Sequence, residues 1–192
     1  LIHVTRFNQV QQHVHRQVLG YVHGLKQRFR RRTDHLSALA ELRSLWERDF
    51  VSTSLEIEAQ IEEESRHPST SWQDIEAVLL DVLDEIDVRM INGKATDALD
   101  YADSATGLKV IAIGGDKLAR GLTLEGLCTS YFLRASKMYD TLMQMGRWFG
   151  YRPGYLDLCR LYTTNDLVEW FEHIADAAEE LRAEFDFMME SL

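Results

Sequence analysis

Leu108-Lys109-Val110-Ile111-Ala112-Ile113-Gly114-Gly115 is an almost unbroken apolar run closed by two glycines. A strand with one wet face alternates apolar and polar residues. A continuous apolar strand instead belongs inside a parallel sheet covered on both faces. On either side of it, Val88 to Asn92, Thr129 to Leu133 and Leu156 to Tyr162 read as further strands, and Leu1 to Thr5 reads as an opening one. Helical spacing occupies the intervals between them. Val10, Val14, Val18, Val22 and Leu25 recur from about Asn8, and Ile75, Val78, Leu79, Val82, Leu83 and Ile86 follow Ser71, which with Asp74 forms a capping signature. Two more helices are expected at about Tyr139 to Gly150 and from Asn165 onward. Strands separated by helices predict an α/β domain on a mainly parallel sheet flanked by helices. Leu36, Leu39, Leu42, Leu45 and Trp46 add another amphipathic stripe, and the block over about 26–70 exceeds what a crossover needs, so it is expected to be a helical insertion.

The 192 residues suit one domain, 1–192, and a composition of 45% hydrophobic and 27% charged residues with 2 Pro excludes disorder and fibrous classes. No apolar run approaches the roughly 18 residues of a membrane span, so the expectation is a soluble, cytoplasmic protein with no membrane partner. The chain opens on Leu1-Ile2-His3-Val4-Thr5 without Met and is expected to be a piece of a longer protein. Cys128 and Cys159, 31 positions apart in strand-like text, suit buried free thiols rather than a disulfide framework or a metal site. Six histidines in the first 67 residues, His13 and His15 among them, lack metal-ligand spacing, and no metal site is expected.

A net charge of −10 excludes a surface that is everywhere a nucleic-acid footprint, while leaving room for a local patch. From Lys26 to Arg32 five of seven residues are positive, and Glu56 to Glu64 is acidic. The basic run either meets DNA or faces the acidic run across the helical block, and the internal pairing is the favoured reading.

Two strings carry candidate chemistry, the first after a strand and the second at the end of a helix, where an open parallel sheet presents its ligands. Gly114-Gly115-Asp116-Lys117-Leu118-Ala119-Arg120-Gly121-Leu122-Thr123 lets the backbone approach a phosphate, with Asp116, Arg120 and Thr123 supplying an acceptor, a cation and a hydroxyl. Gln144-Met145-Gly146-Arg147-Trp148-Phe149-Gly150-Tyr151-Arg152 places two arginines around a glycine, and a guanidinium stays charged and matches phosphate oxygens bidentately. Trp148 and Phe149 suit core packing better than base stacking. An Asp followed by Asp/Glu-x-Lys in strand context, as metal-dependent cleavage would need, does not occur.

In this order the two strings resemble motifs V and VI of superfamily-two helicase-like ATPases, and Leu1 to Phe7 resembles motif IV, the first strand of their second RecA-like lobe. More narrowly, Leu1 to Phe7, Arg89 to Gly93, Arg120 to Gly126 and Met143 to Arg152 resemble the Z-one domain, a family named for endonucleases. The resemblance covers nearly the whole chain. It implies a RecA-like fold of the P-loop NTPase type and a bacterial, ATP-dependent, DNA-acting protein of restriction or phage-defence type. ATP and Mg would be bound mainly by an N-terminal ATPase lobe of the same protein, with nuclease or methyltransferase partners. No Gly-x-x-x-x-Gly-Lys-Ser/Thr string occurs, so the chain alone is expected not to hydrolyse ATP.

Carried over by position, Arg147 and Arg152 are the candidates for the γ-phosphate, with Arg152 preferred as the arginine finger. Four residues separate them where helicases have one or two, so either can be the finger. Gly121 and Thr123 fall at the ribose or coupling contact, Thr123 replacing a more usual Asp; Gln144 either orients the arginine pair or packs. With Asp116 and Arg120 these are the ATP-binding candidates, while His3, Thr5 and Arg6 are the nucleic-acid-binding candidates at the end of the first strand. The alternatives are a catalytically silent scaffold for defence partners or an endonuclease module.

Overall fold

The computed structural model describes residues 1–5, 7–60, 70–91, 107–115, 126–133 and 154–190. Strands β1 (Ile2–His3), β2 (Asp87–Ile91), β3 (Val110–Gly114), β4 (Thr129–Phe132) and β5 (Arg160–Tyr162) form one sheet in the order β2-β3-β1-β4-β5. Every neighbouring pair is parallel. Parallel neighbours cannot be joined by tight hairpins, so the intervening chain must cross back over the sheet. The described helices are α1 (Asn8–Arg31), α2 (His35–Leu45), α3 (Ser52–Glu58), α4 (Trp72–Glu85) and α5 (Asn165–Glu190).

The doubly buried strand is where the apolar run predicts it. Ala112, Ile113, Gly114 and Gly115 are all buried, with β2 on one side of β3 and β1 on the other. Because side chains alternate across a strand, β3 feeds two cores. On one face Ile113 joins Val88 and Val22 of α1, with Val14, Val18, Ile2 and Ile111 packed around them. On the other, Ala112 joins Leu1, Ile91, Phe132 and Leu167, against Trp170, Phe171 and Ile174 of α5. The chain is thus an α/β domain whose all-parallel sheet lies between helices.

Two strands are shorter than their text suggests. The opening strand is Ile2–His3, although Val4 N still donates to Gly114 O at 3.2 Å and Leu133 N to His3 O at 3.2 Å. Leu156 to Tyr162 divides into a 3-10 turn, Leu156–Leu158, and β5. Its beginning is held by α3, where Ser54 Oγ donates to Asp157 Oδ2 at 2.8 Å. The expected helix at 139–150 lies outside the described residues.

The helical block contains α2, a π-type turn over Trp46–Val51 and α3. Its link to the sheet is Arg160, which donates through Nε to Asp49 Oδ1 at 2.8 Å and places its guanidinium 4.5 Å from the Phe50 ring centre. The basic run belongs largely to α1, which continues unbroken to Arg31, and three of its cations have partners among the described residues. Lys26 Nζ donates to Ile86 O at 2.8 Å and Asp84 O at 3.2 Å, Arg30 pairs with Asp84 at 2.9 Å, and Arg28 with Asp34 at 2.8 Å. Lys26 and Arg30 therefore cap the carbonyl end of α4, where the helix dipole favours cations, while Glu62 to Glu64 of the acidic run lie outside the described residues. Cys128 and Cys159 form no disulfide and are only half-buried; burial pushes the Cys159 thiol upward, against the opposing pull of Arg160. No helix among the described residues is long and apolar enough to cross a membrane.

Candidate functional site

β1 is the middle strand, with β2 and β3 on one side and β4 and β5 on the other. The strand order reverses about it, and in open α/β sheets such a reversal opens a crevice at the carboxyl ends of the strands. Register sets Ile91, Gly114, His3 and Phe132 in one row across that edge. Immediately after this row the chain leaves β3 through Gly115 and β4 through Leu133.

His3 binds the edge together. Its relative exposure is 0%, its Nε2 lies 3.0 Å from Gly115 O, and its ring stacks on Phe132 with centroids 5.0 Å apart and planes inclined by 15°. A carbonyl oxygen only accepts, so Nε2 carries the hydrogen of this bond. One imidazole thus joins the ends of the three central strands, and Phe132 passes the contact to Phe171 of α5 edge-on at 6.4 Å. Fully enclosed, His3 offers no surface to an outside phosphate. Its place in the alternation explains why: position 3 shares the face of Leu1, which is core.

Thr5 shapes the turn into α1. Its Oγ1 accepts from Phe7 N at 2.8 Å, and its carbonyl accepts from Gln11 Nε2 at 2.7 Å. Phe7 is the extended residue before α1 and has no side-chain cap of its own, so these two bonds define the helix entry. Gln11, which the spacing did not single out, is 3% exposed, and its Oε1 is buried with no partner among the described residues. A buried acceptor in that condition carries a desolvation cost of about 1–3 kcal/mol. It lies in the first turn of α1, tied through its Nε2 to Thr5 O just beyond β1.

Arg6, Asp116, Arg120, Gly121, Thr123, Gln144, Arg147 and Arg152 lie outside the described residues. What the structure supplies for them is the frame: Asp116 follows directly on Gly115, whose carbonyl His3 holds. Among the described residues no group of three or more His, Cys, Asp or Glu is placed to hold a metal ion.

Fold and edge together define the class as an open-sheet α/β domain with its strand order reversing at the central strand. The chain belongs to the Z1 domain family, whose model matches residues 1–192. No curated protein and no solved structure matches it.

Proposed function

We propose that this chain is the second, RecA-like lobe of a helicase-like, ATP-dependent DNA-acting protein, supplying arginines to ATP bound between it and another lobe. The observation that carries the reading is the central position of β1 between β3 and β4 in an all-parallel sheet. The string that resembles motif V begins at the carboxyl end of β3, and the one that resembles motif VI belongs to the stretch of sequence between β4 and β5, the strands on the other side of β1. That is the arrangement a lobe needs if two separated segments are to address one nucleotide.

In this reading Arg147 and Arg152 reach the γ-phosphate of ATP, and the one in line with the transferred group neutralises charge that develops in the transition state. Gln144 orients them, and Asp116, Arg120, Gly121 and Thr123 form the neighbouring contact with the nucleotide. Mg is held by the other lobe, and none of the described residues is asked to bind it. His3 is a positioning residue: by holding Gly115 O it sets where the Asp116 string begins. DNA lies across both lobes, with nuclease or methyltransferase partners acting on it.

The test is ATP hydrolysis by the full-length protein, with and without duplex DNA, for wild type, Arg147→Ala and Arg152→Ala. Loss of about 10³-fold or more in one folded variant identifies the finger and supports the two-lobe reading. Equal rates in all three overturn the arginine assignment. Absence of hydrolysis in wild type favours a silent scaffold, and metal-dependent DNA cleavage by this chain alone favours the endonuclease reading.

A further inference from the structure

We propose that the solvent face of α1 is the surface along which this chain contacts the sugar–phosphate backbone of duplex DNA. This deepens the DNA-acting reading and rests on it for the choice of polyanion. Acids outnumber bases 31 to 21 in the whole chain, yet α1 contains no Asp or Glu in 24 residues and carries Arg16, Lys26, Arg28, Arg30 and Arg31. A helix whose outer face is merely solvated ordinarily mixes both signs.

The cations divide by function. Lys26, Arg28 and Arg30 are engaged with Ile86, Asp34 and Asp84. Arg16 and Arg31 are exposed, and neither guanidinium has a hydrogen-bond or ion-pair partner among the described residues. Val14, Val18 and Val22 face the sheet. On the opposite side of the 3.6-residue repeat run Gln9, Arg16, His23 and Gln27, flanked by His13 and Arg31. Each of these side chains presents N–H groups and none is a carboxylate, which suits phosphate oxygens. His13, Arg16 and Gln17 line a shallow open depression, where His13 Nε2 and Gln17 Nε2 lie 3.0 Å apart.

Two glycines on that side add an independent observation. Gly20 and Gly24 have nothing within 4 Å of where a Cβ would stand. Glycine weakens a helix interior, and nothing packed against these two explains them. They leave the helix backbone open to close approach by a partner. Duplex is favoured over single-stranded DNA because sequence-tolerant single-strand binding uses serial aromatic platforms, and Tyr21 is the lone aromatic of α1 that is well exposed. Arg16 and Arg31 stand about 22 Å apart along the axis, roughly the length of six base pairs at about 3.4 Å each.

The experiment is fluorescence anisotropy of a labelled duplex of about 20 base pairs with the full-length protein, from about 50 to 200 mM salt. The double variant R16Q/R31Q is expected to bind about tenfold more weakly at low salt and to lower the slope of log K against log salt by about 2. Its ATP hydrolysis without DNA should equal wild type. The variant G20A/G24A is expected to raise Tm while weakening duplex binding severalfold, a pair of effects that loss of folding cannot produce. Unchanged affinity and slope in folded R16Q/R31Q overturn the proposal. So does poly-glutamate displacing the duplex as effectively as unlabelled duplex, which would assign the face to an acidic protein. If wild type hydrolyses no ATP yet R16Q/R31Q still loses duplex binding, the ATPase reading fails and this surface stands.

Discussion

His3 shows how one side chain can decide what a strand end does. A histidine at the carboxyl end of a central strand invites a phosphate-binding role, but 0% exposure, the Gly115 carbonyl and the Phe132 ring make it the joint of three strands. Replacing it with Phe keeps the stack and leaves Gly115 O without this donor, so His3→Phe should cost about 1–3 kcal/mol in urea unfolding. Phe132→Ala removes both the stack and the contact with Phe171 at a position 1% exposed, and a loss of about 3–5 kcal/mol is expected. Equal and small losses in the two variants would remove the joint from the account. At the other end of α1, Arg32 occupies the left-handed region with φ 52°, where Arg32 N and Thr33 N bond Phe29 O and Arg28 O. Glycine adopts that conformation freely, so Arg32→Gly should raise stability by about 1 kcal/mol in the same assay.

At the scale of elements, α4 and β5 illustrate opposite cases. The start of α4 is written locally: Ser71 Oγ accepts from Asp74 N at 3.3 Å, and the Asp74 carboxylate accepts from Ser71 Oγ at 2.6 Å and Ser71 N at 3.2 Å. These bonds, that from the Ser71 hydroxyl first, hold the Asp74 carboxyl below its ordinary range. A depressed carboxyl pKa contributes stability that is complete above the unfolded value and is lost as pH falls through the folded one. The protection of the amides in the first turn of α4, measured against their intrinsic exchange rate at each pH, should therefore fall on acidification below about pH 4, and Asp74→Asn should abolish that dependence. β5 depends on a partner distant in sequence. Arg160, 12% exposed in its side chain, joins Asp49 across 111 positions and also donates to Asp157 O at 2.8 Å and Cys159 O at 3.0 Å. A double-mutant cycle on Arg160→Ala and Asp49→Ala should give a coupling of about 1–3 kcal/mol. Additive losses would mean that the helical block is not docked through this pair.

Over the whole molecule, stability is concentrated at the sheet and falls away along α5. Leu167 is 2% exposed and belongs to the core, whereas Phe185 is 56% exposed. Leu167→Ala should cost about 2–5 kcal/mol, and Phe185→Ala should fall within about 0.5 kcal/mol of wild type; both are read from denaturant midpoints. The parallel sheet, the run of α1 from Asn8, the capped start of α4 and the helix from Asn165 were all legible in the sequence. Each rests on interactions among neighbours in the chain: a repeat of 3.6, a cap three residues away, an apolar run that only two covered faces can accommodate. The motif resemblance was legible in the same way, as local strings, and it placed the chain in its family. The tertiary structure alone decided the strand order, the enclosure of His3, the orphaned acceptor of Gln11 and the partners of the basic run. It also broke the apparent strand at Leu156. Most of these depend on contacts between residues distant in sequence, such as Arg30 with Asp84, 54 positions apart, and His3 with Gly115, 112 apart, and the energy of such a contact is set by which surfaces meet and exclude water, a property that local periodicity does not encode.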